Sequence, residues 1–167
     1  MAMTPKEQYL STFEREVGTT VRVLKSLPAD QAELKPAAMC RTARELAWLF
    51  VTEQGLTAKA LTTGFDWSKP SPPMPPAPDS MEKIIPAFEH GARQVADLVR
   101  AMPDDDLEKT VSFFSGPGKL RDYTLNEFLW FVLSDQIHHR GQFSIYLRMA
   151  GGKVPSIYGP TADEPWM

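Results

Sequence analysis

Four long stretches of this chain repeat their apolar residues every three to four positions, with Pro- and Gly-bearing breaks between them. That period is the helical one, and a helix with one apolar face must bury it against other elements. The first stretch runs from about Pro5 to Leu27 with Leu10, Phe13, Val17, Val21 and Leu24 in register, and Pro28 follows it. The second opens on Thr42-Ala43-Arg44-Glu45, the signature of a capping box. Its stripe reads Leu46, Leu49, Glu53, Leu56 and Ala60 up to Gly64. The third begins near Asp79 or Ser80 and carries Ile85, Phe88, Ala92, Val95, Val99 and Met102, although Pro86 in its first turns points to a later start. The fourth starts at Thr124, paired with Glu127 in a second capping box, and runs to about Ala150, where Gly151-Gly152 stops it. At 1.5 Å per residue it is roughly 40 Å long.

Phe65 to Pro78 contains six prolines and reads as an ordered, non-helical crossover. Leu107 to Asp122, with Phe113-Phe114 ahead of Gly116-Pro117-Gly118, reads as irregular: a short hairpin or a loop folded back on the helices. With no convincing sheet, the pattern predicts an all-α four-helix bundle in which residues 42–63 and 124–150 are adjacent. The connections of about 14 residues after the first and second helices can span a bundle, so a crossover topology is open beside simple up-down-up-down.

A length of 167 residues with 43% hydrophobic content fits one globular domain, 1–167, able to build a core without staples. Eighteen basic residues are scattered among 21 acidic ones, leaving no electrostatic footprint for nucleic acid. No run approaches the roughly 18 apolar residues of a membrane span, and the polar start lacks a secretory pattern. Cys40 is alone, so no intrachain disulfide forms and a cytoplasmic setting is expected.

The chemistry concentrates in Asp135-Gln136-Ile137-His138-His139-Arg140-Gly141-Gln142, which holds two of the three histidines. Asp135 and His139 are four residues apart and share a helix face, as two ligands of one metal ion do. A buried, hydrogen-bonded Asp–His pair has the same spacing, and both readings stay open. On the stripe Leu125, Phe128, Val132, Asp135, His139, Phe143, Tyr146 both residues should face the core, where an unpartnered carboxylate costs several kcal/mol. Glu53 interrupts the second helix in the same way, as a further ligand or as a boundary residue paired with a cation. His138 lies about 100° away and should be turned outward, His90 reads as surface, and Arg140 can pair with an acidic side chain of a neighbouring helix.

His139-Arg140-Gly141-Gln142, then Tyr146-Leu147-Arg148 and Gly151-Gly152-Lys153-Val154-Pro155, resembles the last-helix signature of the DinB-like family of metalloenzymes. The resemblance extends over Thr42–Glu53, the proline-rich crossover and the tail Ser156-Ile157-Tyr158-Gly159-Pro160. It implies a bundle of up-down-down-up order. It also implies a divalent metal, nickel or zinc, held by one histidine of the second helix and an H-x-x-x-H pair of the last. Some members of that family use low-molecular-weight thiols in transferase or isomerase reactions. Here the pair falls on Asp135 and His139, so only His139 keeps its histidine. The second-helix ligand falls on about Leu49, which cannot bind metal, and Glu53 one turn later is its nearest replacement.

The expected site is therefore a degenerate Glu53/Asp135/His139 set, O,O,N rather than three nitrogens. The function implied is a metal-dependent enzyme, a thiol-using transferase or a hydrolase, acting on a small molecule. The alternative is a non-catalytic small-molecule-binding or regulatory bundle whose metal is absent. No nucleic acid or membrane partner is expected, and a homodimer is the expected assembly because symmetric pairs are the commonest one.

Overall fold

The computed structural model describes residues 2–70 and 73–167. Met1 and, within the crossover, Ser71 and Pro72 lie outside the described residues. Four helices form where the periodicity places them: α1 Pro5–Lys25, α2 Ala43–Thr62, α3 Met81–Ala101 and α4 Leu125–Met149. The Thr42/Glu45 and Thr124/Glu127 capping boxes are both made. Thr4 and Glu7 make a third at the head of α1. Each box satisfies backbone N–H groups that a helix start otherwise leaves without partners. At the far end of α4, Gly151 takes φ 71°, the left-handed turn that closes a helix.

Two expectations are corrected. Leu107–Asp122 is not wholly irregular. After a 3₁₀ segment at Asp104–Glu108, strands β1 (Thr110–Gly116) and β2 (Lys119–Thr124) form an antiparallel hairpin, the first of the two open alternatives, and a small sheet joins the helices. Val111 pairs with Tyr123 and both are buried on Phe128, which holds the hairpin against α4. α3 starts at Met81, not after Pro86. Pro86 and Glu82, whose carbonyl it deprives of a helical partner, are both exposed, and Ile84 rather than Ile85 is the buried isoleucine.

α1 packs on α3 and α4, and α2 packs on the same two helices. Long side chains stitch the ends. Arg44, at the start of α2, donates to the carbonyls of Ala77 and Pro78 just ahead of α3. Lys6, at the start of α1, donates to Met102 O at the end of α3. The Tyr146 hydroxyl, near the end of α4, donates to Arg41 O ahead of α2. One core cluster gathers Val23, Leu24, Phe50, Phe88, Phe143 and Leu147, and a second gathers Tyr9, Phe13, Val95, Val99, Leu129 and Leu133.

A buried ionic knot sits among these apolar residues. Arg140 is 1% exposed and Glu16 3% exposed. Arg140 Nη2 donates to Glu16 Oε2 at 2.7 Å, while Nη1 donates to Glu16 O at 3.2 Å. From the tail, the Tyr158 hydroxyl accepts from Arg140 at 2.6 Å and donates to Glu16 Oε2 at 2.7 Å. The acidic partner foreseen for Arg140 is thus Glu16. The apolar stripe read on α1 is turned as a result: Glu16 and Thr20 are buried, whereas Leu10, Val17 and Val21 are only half-buried. Burial raises the Glu16 pKa, but the Tyr158 hydroxyl and the Arg140 guanidinium outweigh it and bring the carboxyl below its ordinary value.

Two predictions follow from the packing and the knot. Gly91 of α3 faces α2, and a Cβ there would lie 2.8 Å from Gln54 Cβ, with little slack in a helix seam. Gly91→Ala should destabilise by about 1–3 kcal/mol, read as a lower denaturation midpoint. Arg140→Met should cost about 3–5 kcal/mol, because Glu16 would stay buried without its cation, and Arg140→Met combined with Glu16→Gln should recover much of that. Because Glu16 titrates lower in the folded state than in the unfolded chain, its contribution is full above the unfolded pKa. It disappears as pH falls through the folded one. Melting curves through the acid range should show that loss in the parent and its absence in Glu16→Gln.

Candidate metal centre

α2 and α4 lie side by side and bring Glu53, Asp135 and His139 together. One ligand atom from each lies within 4.8 Å of the other two. His139 Nδ1 is 3.1 Å from Glu53 Oε1 and 3.8 Å from Asp135 Oδ2. Among the described residues, His139 is the only cationic or potentially cationic group within 4 Å of either carboxylate.

The burial of the three differs from the expectation at one residue. Glu53 is buried and the His139 side chain is 15% exposed, but the Asp135 side chain is 47% exposed. The inward row of α4 runs through Leu129, Leu133, Gln136, Arg140 and Phe143. Seating Arg140 in the core turns Asp135 to the rim beside α2. His138 is exposed and hydrogen-bonds Gln142, and His90 is exposed, both as read from the sequence.

Glu53 is in an unfavourable position as it stands. Oε2 is buried with no hydrogen-bond partner, and only Oε1 meets the imidazole. Burial pushes its carboxyl up to about 7, against the opposing pull of His139 and with a smaller upward push from the neighbouring Asp135 carboxyl. The Glu53 hydrogen bond in turn raises the His139 pKa despite partial burial. Buried polar atoms normally have partners, so an orphaned carboxylate oxygen beside two other donors is a feature in need of a cation.

The residues fit a divalent metal. Donors about 2.1 Å from a tetrahedral ion lie about 3.4 Å from each other, and the two distances to His139 bracket that value. Three protein ligands leave a position open, as catalytic zinc sites do. The two oxygens make the set harder than three imidazoles and widen it toward iron or manganese. Leu49, where the resemblance places a histidine, is a buried apolar residue one turn before Glu53.

Beside the centre lies a groove of about 620 Å³ between α2 and the crossover, with Glu53 and Asp135 at its edge. Its walls include Trp48, Leu56, Phe65, Trp67 and Met74. The crossover is held over it by two indoles: Trp48 Nε1 donates to Pro75 O and Trp67 Nε1 to Ser112 O of β1, each at 2.8 Å. In the sequence, neither Trp48 nor Trp67 breaks an apolar stripe or belongs to a motif. The available signal is a tryptophan, Trp67, just ahead of a proline-rich run, with a second, Trp48, on the helix before it.

Comparison with known proteins agrees with this architecture. A family model described as the DinB family matches residues 1–166, and the chain belongs to that family. A Bacillus subtilis protein, YrdA, described as uncharacterised, is 25% identical over 160 residues, covering 95% of this chain and 90% of the relative. Among solved structures, a DinB-like protein of Bacillus cereus superposes with a TM-score of 0.76 at 24% identity, over 90% of this chain and 95% of that one. The DinB-like protein YjoA of Bacillus subtilis reaches 0.69 at 18% identity, over 96% and 99%.

Glu53→Gln tests the electrostatics directly. Glu53 binds its proton more tightly when folded, as does His139, so stability in the absence of metal should fall as pH rises from the ordinary carboxylate range through about 7. The neutral amide removes the buried charge and can still meet the imidazole. At about pH 8, chelator-treated Glu53→Gln should be more stable than the parent by about 1–3 kcal/mol. A variant less stable than the parent there would show that Glu53 is not held at a cost.

Proposed function

We propose that this protein is a metal-dependent enzyme in which Glu53, Asp135 and His139 hold a divalent metal, zinc or nickel by family resemblance, and act on a small molecule seated in the adjoining groove. The observation that carries the reading is the partnerless Glu53 Oε2 within a three-donor cluster. In this reading the whole chain, 1–167, forms one domain with the up-down-down-up order of the resemblance. That order is supported by the contacts joining the start of α2 to the start of α3, and the start of α1 to the end of α3.

Held by Glu53, Asp135 and His139, a divalent metal would supply Lewis acidity, lowering the pKa of a thiol or water brought to it. The protein's own groups do the rest. Glu53, anchored in the α2–α4 seam, and His139, packed edge-on against Phe50, provide rigid donors. Asp135, at the solvent rim, can hold the metal with one carboxylate oxygen and accept a proton from an incoming nucleophile with the other. The aromatic walls of the groove exclude water from one side of the centre and orient the substrate. Thiol-dependent transfer and hydrolysis both suit such a set.

A metal-free binding bundle is the second reading. It is favoured by the 3.1 Å His139–Glu53 hydrogen bond, which satisfies one carboxylate oxygen without any ion. Thermal shift on chelator-treated, tag-free protein separates the two. Zinc or nickel should raise the melting temperature in the parent and not in His139→Ala or Glu53→Gln. No shift in the parent, with no metal in elemental analysis of protein as purified, rejects the enzyme reading.

Leu49→His extends the test. A histidine in this buried seam lacks a hydrogen-bond partner, so the metal-free variant should melt lower than the parent. A fourth convergent donor should give it a larger gain on zinc addition than the parent shows. Equal zinc gains in both proteins would mean that Leu49 does not face the centre.

A further inference from the structure

Two residues of the groove have no role in holding the metal. Gly55 lines it from the middle of α2. Glycine inside a helix costs roughly 0.5–1 kcal/mol relative to alanine. A close helix crossing normally explains such a glycine, as at Gly91. At Gly55 a built Cβ meets nothing within 4 Å, so no neighbouring side chain or backbone demands the bare position. What the missing side chain leaves open is the groove.

Lys59, one turn further along the same helix, also lines the groove. Its ammonium sits 5.5 Å from the centre of the Phe65 ring, and it forms no salt bridge among the described residues. Asp66 on the crossover is held by Lys69 at 3.0 Å instead. From Glu53 to Lys59 is six residues, roughly 9 Å along the helix axis. The groove is thus polarised: along its α2 wall two carboxylates lie near the middle and a cation toward the C-terminal end, among aromatic and aliphatic walls.

Resting on the metal-centre reading and going on to the identity of the substrate, we propose that the groove binds a flat or extended apolar molecule bearing an anionic group. Its anion meets Lys59, its apolar body lies over Gly55 beside Phe65 and Trp67, and its reacting end reaches Glu53, Asp135 and His139. The opposite orientation is disfavoured without metal, because Glu53 and Asp135 repel an anion. An apolar amine is disfavoured at the Lys59 end for the same reason of charge.

The test uses the full-length protein, chelator-treated so that no metal can capture the anion, and titration calorimetry with phenylbutyrate and its uncharged analogue phenylbutanol. Phenylbutyrate should bind roughly five-fold more tightly, the scale of one solvent-screened ion pair. Lys59→Met should bring the two ligands to parity while leaving phenylbutanol affinity within about two-fold. Gly55→Ala should melt at or above the parent temperature, since alanine favours the helix, and Gly55→Leu should weaken both ligands by about ten-fold or more by filling the groove. Equal binding of the two ligands to the parent, a preference that survives Lys59→Met, or undiminished binding to Gly55→Leu each overturns the proposal. All three variants should keep the zinc-dependent thermal shift of the parent. A lost shift in the parent with the Lys59 preference intact would sink the metal reading alone.

Discussion

The buried pair Arg140–Glu16 sets the geometry on which the rest of the molecule depends. A guanidinium in an apolar core is tolerated only where its charge and donors are met, and here Glu16, its backbone carbonyl and the Tyr158 hydroxyl meet them. Satisfying Arg140 on the α1 side fixes the rotation of α4 about its own axis. His139, the preceding residue, is displaced by about 100° on that helix and is thereby turned toward α2. Asp135 follows, one turn earlier on the same side as His139. The same knot fastens the tail through Tyr158, whose ring is exposed while its hydroxyl reaches the core.

The molecule treats its two buried glutamates in opposite ways. Glu16 has a cation and a hydroxyl, and its pKa is drawn down. Glu53 has one imidazole contact and one orphaned oxygen, and its pKa is driven up to about 7. A structural carboxylate in a core resembles the first. The second retains an unmet demand for positive charge beside a groove, the environment in which perturbed groups carry function. This contrast within one chain separates the framework from the candidate centre.

The groove owes its existence to the crossover and the hairpin rather than to the helices alone. Phe65 and Trp67 stack at 5.2 Å, and Trp67 meets Phe114 of β1 at 4.5 Å, so the proline-rich crossover leans on the hairpin. The hairpin in turn is seated on Phe128 of α4. Elements that appear peripheral to a helical bundle therefore form one wall of the site, with indole hydrogen bonds to Pro75 and Ser112 setting its width.

Much of this was legible in the residues themselves. The helical periods, the capping boxes at Thr42 and Thr124 and the stop at Gly151 act within a turn or two of chain, so local sequence determines them. Glu53, Asp135 and His139 stood out because ionisable groups broke apolar stripes, and the ligand spacing of Asp135 and His139 is a property of one helix. Other features needed the tertiary structure. A stripe fixes which residues share a face but leaves the helix free to turn by tens of degrees. That freedom hid the burial of Glu16 and Arg140 and the exposure of Asp135 until contacts 124 residues apart in sequence resolved it. The Glu53–His139 contact, 86 residues apart, and the crossover folded over α2 belong to the same class. Local chain energetics chose the helices, and only long-range charge pairing and packing decided how they face each other.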